Sequence, residues 1–127
     1  METSSPENSL SDVFSYHPRL ANVRNYVSRN LSENITLHDA AQIACLEKKY
    51  FSTFFHKKTG ICFSHWLARI RIESARKIIK TEHTSITEIA FNVGFRDLRS
   101  FQRAFKRHTG VTPREFKRSI TSHIDTP

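Results

Sequence analysis

The sequence predicts an all-α fold, two similar helical units joined by a long helix, with about seven helices in all. Three observations carry that expectation. There are only 3 glycines and 4 prolines in 127 residues, which leaves few of the breaks a sheet protein needs. Apolar residues recur at three- and four-residue steps rather than at alternate positions. Finally, one pattern of caps, apolar positions and Thr-Gly stops returns about fifty positions later.

The elements follow in order. Residues 1–18, rich in Ser, Asn and Pro, read as a flexible leader or linker remnant. From Arg19 the stripe Leu20, Val23, Val27, Leu31 marks a helix. Thr36-Leu-His-Asp39 resembles a capping box, with Asp a shorter reach than the usual Glu, and opens a short helix bearing Leu37, Ala40, Ala41 and Ala44. Cys45-Leu46 breaks the chain. A helix from about Glu47 to Lys58 turns Phe51, Phe54 and Phe55 inward and stops at Thr59-Gly60. The first unit thus spans residues 19–62. The linker helix, 63–81, carries one expected stripe: Trp66, Leu67, Ile70, Ser74, Ala75, Ile78 and Ile79. Residues 82–120 form the second unit. Ser85-Ile-Thr-Glu88 is a clean capping box, Gly94 is the break, and a helix from about Asp97 to His108 buries Phe101 and Phe105. Thr112-Pro113 opens a last helix, pinned by Phe116, and residues 121–127 read as a disordered tail.

Laid over each other, Thr36, Leu37, Ala41 and Leu46 match Ser85, Ile86, Ala90 and Phe95 at an offset of 49. Phe51, Phe55, Thr59-Gly60 and Trp66 match Phe101, Phe105, Thr109-Gly110 and Phe116 at an offset of 50. A capped short helix, a tight break and a longer helix make a helix-turn-helix, and the chain holds two such subdomains. Outside each aromatic seam lies a basic face. In the first copy it offers Lys48, Lys49, Ser52, Thr53 and His56; in the second, Arg99, Ser100, Gln102, Arg103 and Lys106. Arg and Lys pair with phosphates or guanine edges, and Gln pairs with adenine.

The charge agrees. The net charge is +8, and residues 1–18 hold Glu2, Glu7 and Asp12 but no Lys or Arg. The other 109 residues carry 20 basic against 9 acidic side chains. That balance points to a polyanion such as nucleic acid. Two reading helices about one DNA turn (~34 Å) apart would enter successive major grooves, and a rigid connecting helix is a means of fixing that distance.

Two cysteines, Cys45 and Cys62, make no four-cysteine zinc site and read as reduced and structural in a cytoplasmic protein. The histidines form no ligand set; no metal or cofactor is expected. No phosphate-cradling glycine loop or nucleophile elbow suggests an enzyme. No run approaches the roughly 18 apolar residues of a membrane span. Arg71 and Arg76 are read as intrachain partners of Glu73 or Glu82, and Trp66 as core.

The second copy, SITEIAFNVGF followed by SFQRAFKRHTGVTPREFKR, closely resembles the signature of the AraC/XylS transcription regulators. The resemblance runs from about Pro18 to Ile120, and RIESARKII resembles the family's linker helix. It implies two helix-turn-helix units, promoter DNA as ligand and transcription activation through RNA polymerase by a nucleoid-associated, cytoplasmic, bacterial protein, monomeric as this chain. By position it offers Lys49, Ser52 and Thr53 to bases, Lys48 and Lys57 to phosphates, and Leu98, Arg99, Gln102 and Arg103 from the second helix, with Lys106 also matching the signature. Two departures stand out. Cys45 occupies the turn position where the family has Gly, a position read as buried, and Leu98 stands where a polar residue is expected. The size fits a stand-alone member; a DNA-binding fragment of a longer, ligand-responsive regulator would look the same. A sequence-neutral architectural binder is the other alternative that charge permits.

Overall fold

The computed structural model describes residues 13–125, with side chains as far as Thr121. The expected leader over 1–12 and the last two tail residues lie outside the described residues. Seven helices follow a helical turn at residues 13–16: α1 (Pro18–Arg29), α2 (Leu37–Ile43), α3 (Lys48–Thr59), α4 (Phe63–Thr81), α5 (Ile86–Asn92), α6 (Leu98–Thr109) and α7 (Pro113–Asp125). Among the described residues there is no strand. The chain divides into two compact units, with the division at Leu67/Ala68 inside α4 and with residues 31–33 joining the second unit. The long helix is therefore shared by the two units rather than being a third segment between them.

In the first unit, Leu20, Val23 and Val27 of α1 are fully buried with Ala40 and Ala41 of α2. Phe51 and Phe55 of α3 join Phe63 and Trp66 of α4 in an aromatic core, with the Phe55 ring 5.5 Å from both Phe63 and Trp66. Burying each large ring is worth about 1.5–3 kcal/mol, so this cluster is what anchors α3. Phe14 belongs to it: the ring is only 2% exposed, stacks on Trp66 at 5.1 Å and lies under the Arg24 guanidinium. The expected leader is thus too long, since its end from residue 13 is helical and contributes to the core.

In the second unit, Ile72, Ala75 and Ile79 of α4 meet Ile89, Ala90 and Val93 of α5 and Phe101, Ala104 and Phe105 of α6. Phe95, Leu98, Phe116 and Ile120 pack against this cluster. The single stripe expected on α4 is corrected here. Ile72, absent from that stripe, is fully buried, while Ile70 is half-buried. At 3.6 residues per turn, Phe63, Trp66 and Leu67 lie on one side of the helix and Ile72, Ala75 and Ile79 nearly opposite. The buried face changes where the unit changes. The last helix also runs to Asp125, beyond the end expected at 120.

The caps reverse one expectation. Thr36 and Asp39 close a full capping box, with both bonds at 3.0 Å. Ser85 accepts from the Glu88 N–H at 3.1 Å, but Glu88 does not return to the Ser85 backbone; its carboxylate instead takes the Ser85 hydroxyl at 3.2 Å. The shorter aspartate gives the better box. Arg76 pairs with Glu73 at 3.2 Å, as expected. Arg71 does not pair with Glu73 or Glu82; it donates to the Glu33 carbonyl at 2.9 Å and lies over the Phe95 ring. Its anchor is a backbone carbonyl distant in sequence, which local charge spacing does not reveal.

Candidate nucleic-acid interface

The longer helix of each pair, α3 and α6, has 12 residues, and the two are in register at an offset of 50. Each ends in the same device. Thr59 Oγ1 donates to the Phe55 carbonyl at 2.8 Å, and Thr109 Oγ1 to the Phe105 carbonyl at 2.7 Å. The same hydroxyls accept from Ile61 N and Val111 N, both at 3.3 Å. Gly60 and Gly110 then leave in the left-handed region, at φ 86° and 88°. Thr side chain and positive-φ Gly together satisfy the last carbonyls and turn the chain away.

The turns before these helices also correspond. Cys45 has φ 59° and Gly94 φ 103°. The first turn is held by Arg19, whose guanidinium donates to the carbonyls of Ala44 and Cys45. Around the second, Leu31 O and the Arg71 guanidinium stand so close to Gly94 that a Cβ there would lie 2.3 and 2.6 Å from them. Cys45 is exposed, not buried as expected, and so is Cys62; both thiols are free. Neither is a structural core residue.

Start signals differ. Asp97 caps α6, accepting from Ser100 N at 2.7 Å and Ser100 Oγ at 3.1 Å. Those two bonds hold its carboxyl below the usual range, with the Arg103 charge a smaller contribution. Glu47, at the corresponding place before α3, makes no side-chain cap bond.

On α3, Lys48, Lys49, Thr53 and Lys57 are exposed, as is His56. Ser52 is half-buried and lines a small cavity of about 160 Å³ with Ile35, Leu37 and Phe63. On α6, Arg99, Gln102, Arg103 and Lys106 are exposed, whereas Leu98 is half-buried and packs on the second core. Both Ser52 and Leu98 sit where the basic arc meets the seam. Among the described residues, the side chains of Lys49, Arg99, Gln102, Arg103 and Lys106 make no hydrogen bond or ion pair, although the charges of Arg103 and Lys106 act on Asp97 and Glu115. One residue was missed by sequence reasoning. Arg107, one turn beyond Arg103, joins Gln102, Arg103, Lys106 and Thr112 around an open groove of about 490 Å³. The i, i+4 spacing from Arg103 was the available signal. Thr112 and Glu115 form a full capping box at the start of α7. These bonds lower the Glu115 carboxyl, with smaller help from Lys106 and Arg118. Among the described residues no helix is long and apolar enough to cross a membrane.

Two capped helix pairs, each presenting an exposed basic helix on an aromatic seam, define a double helix-turn-helix protein. A family model described as a helix-turn-helix domain matches residues 40–119. The chain is 35% identical over 116 residues to the arabinose operon regulatory protein of Escherichia coli K12, covering 87% of this chain and 40% of that protein. Among solved structures, the C-terminal domain of AraT, a response regulator from Geobacillus stearothermophilus, is 31% identical with a TM-score of 0.75, covering 80% of this chain and 85% of that one. The DNA-binding domain of AdpA, a global transcriptional factor solved with a target DNA, shares the fold at 23% identity and TM-score 0.78, covering 84% and 96%. The chain belongs to the AraC/XylS family and is a DNA-binding domain of that family. It spans 34% to 40% of the length of the curated relatives it matches first.

Proposed function

We propose that the chain binds double-stranded promoter DNA sequence-specifically and regulates transcription, as an activator that works with RNA polymerase. It acts as a monomer on the nucleoid in the bacterial cytoplasm, with α3 and α6 entering successive major grooves. The observation that supports this best is the pair of in-register helices whose faces hold exposed arginine, lysine and glutamine side chains. Such side chains can satisfy both phosphates and base edges, and an α-helix fits a groove about 12 Å wide.

The test is fluorescence anisotropy with duplex fragments from upstream of the protein's own coding region, at two salt concentrations, against random competitor. Specific binding keeps an advantage of about 10³-fold or more on one fragment. Equal, steeply salt-dependent binding to every fragment would leave only the phosphate contribution and point to an architectural protein. Hydroxyl-radical footprinting of the winning fragment then tests groove use. Two protected patches about one turn (~10 bp) apart are expected.

A further inference from the structure

We propose that the second unit carries the sequence specificity and reads a half-site of guanine and adenine, while the first unit holds DNA chiefly through its phosphates. The inference rests on the DNA-binding reading above and assigns the tasks within it.

The common register permits a comparison position by position. Lys49 corresponds to Arg99, Ser52 to Gln102, Thr53 to Arg103, His56 to Lys106 and Lys57 to Arg107. At four of these five places α6 has a side chain able to make two parallel hydrogen bonds to one base: Arg99, Gln102, Arg103 and Arg107. Arginine meets O6 and N7 of guanine, and glutamine meets N6 and N7 of adenine. All four are exposed and none is hydrogen-bonded among the described residues, so they reach the groove without breaking an internal bond.

The first unit offers less at the same places. Ser52 is half-buried beside Ile35 and Leu37. The Thr53 hydroxyl is turned back to the Lys49 carbonyl at 3.4 Å. Lys49 and Lys57 are flexible point charges, and His56 offers one ring edge. A lysine can reach a guanine, but it has no rigid fork to reject the wrong base. The lysines do suit phosphates, which carry no sequence information.

Helix anchoring points the same way. The start of α6 is fixed by the Asp97–Ser100 bonds, whereas α3 starts without a side-chain cap. A base reader must hold its side chains to within a fraction of an ångström, and a phosphate holder need not.

The test is selection of a random duplex library by the whole chain, followed by affinity measurements on the selected site with 7-deazaguanine replacing each guanine in turn. That analogue removes the N7 acceptor and leaves the protein unaltered. The expected result is a site whose preference is concentrated in one half, where 7-deazaguanine weakens binding about 5- to 150-fold at the read guanines. The variant Gln102→Ala/Arg103→Ala should lose the preference in that half, while Lys49→Ala/Thr53→Ala lowers affinity for all sequences and selects the same site. Circular dichroism confirms that both variants keep their helices. The proposal is overturned if preference lies in the half whose readout Lys49→Ala/Thr53→Ala abolishes, or if 7-deazaguanine is without effect throughout. Recovery of no preferred sequence at all would sink the DNA-reading function itself, a distinct outcome.

Discussion

The two turns occupy the same place in the repeat and solve the same problem with different residues. In the first, Cys45 holds φ 59°, within the small left-handed region open to L-residues, and its side chain is exposed. In the second, Gly94 sits at φ 103° against Leu31 O and the Arg71 guanidinium. One turn tolerates a side chain at a moderate conformational cost, and the other excludes any. Duplicated architecture therefore does not mean duplicated constraint: what surrounds the turn decides which residue it accepts.

The largest expected effect comes from forcing the second turn to resemble the first. Gly94→Ala places a Cβ into backbone and guanidinium at an unfavourable φ, a loss of about 2–4 kcal/mol from overpacking and strain combined. Cys45→Ala keeps the existing backbone and should stay within about 1 kcal/mol of the parent. Urea unfolding of the two variants reads the difference, and equal losses would show that the turns are equivalent after all.

A smaller asymmetry lies in the arginines. Arg19 donates to two carbonyls at the first turn, whereas Arg71 has one carbonyl partner and a buried Nε with none. Burial lowers the Arg71 pKa without a compensating carboxylate. Arg19→Ala should lose about 1–2 kcal/mol, since it leaves carbonyls at the turn unpaired. Arg71→Met retains the stem and the packing on Phe95 and should lose about 1 kcal/mol or less. A larger loss from Arg71→Met in thermal unfolding would assign the guanidinium, rather than its stem, the task of holding the second turn.

Acid sharpens the comparison further. Asp39, in the first unit, and Asp97 and Glu115, in the second, are all lowered, chiefly by backbone and side-chain hydrogen bonds from their cap partners. A carboxyl lowered in the folded state stabilises fully above its unfolded pKa, and that contribution is lost as pH falls through the folded value. Stability should therefore be flat from neutrality to about pH 4.5 and decline below about pH 4. Asp97→Asn should flatten the decline, and residue-resolved hydrogen exchange should show the second unit loosening first. A decline that begins near pH 6 would implicate histidines instead.

The sequence made the repeated parts legible and hid the unrepeated ones. The aromatic seams, the Thr-Gly ends and the exposed lysines and arginines follow from local periodicity, and each was visible twice. Phe14 was missed because a lone aromatic in a polar stretch has no periodic neighbours. Ile72 was missed because α4 changes its buried face midway, which a single stripe cannot represent. Ser52 and Leu98 lie on the border between seam and basic arc, where helical spacing does not decide orientation and packing does. Arg19 and Arg71 act on carbonyls 25 and 38 residues away in sequence, beyond any local signal.

The smallest effect is the most informative about the first turn. Cys45→Gly relieves about 1 kcal/mol of left-handed strain, but glycine also gives the unfolded chain about 0.4–1 kcal/mol of added freedom. The net gain should be under about 1 kcal/mol, a rise of a few degrees at most in Tm for a chain this size. The turn itself is unaffected, because Cys45 N still donates to the Gln42 carbonyl at 3.0 Å and Arg19 binds backbone oxygens rather than the thiol. If Cys45→Gly lowers Tm instead, the entropy of the unfolded chain outweighs the strain. The bonds from Arg19 would then be holding a conformation that an ordinary side chain adopts with little resistance, and the family's glycine at this turn would be a convenience, unlike Gly94, whose neighbours leave no room for a Cβ.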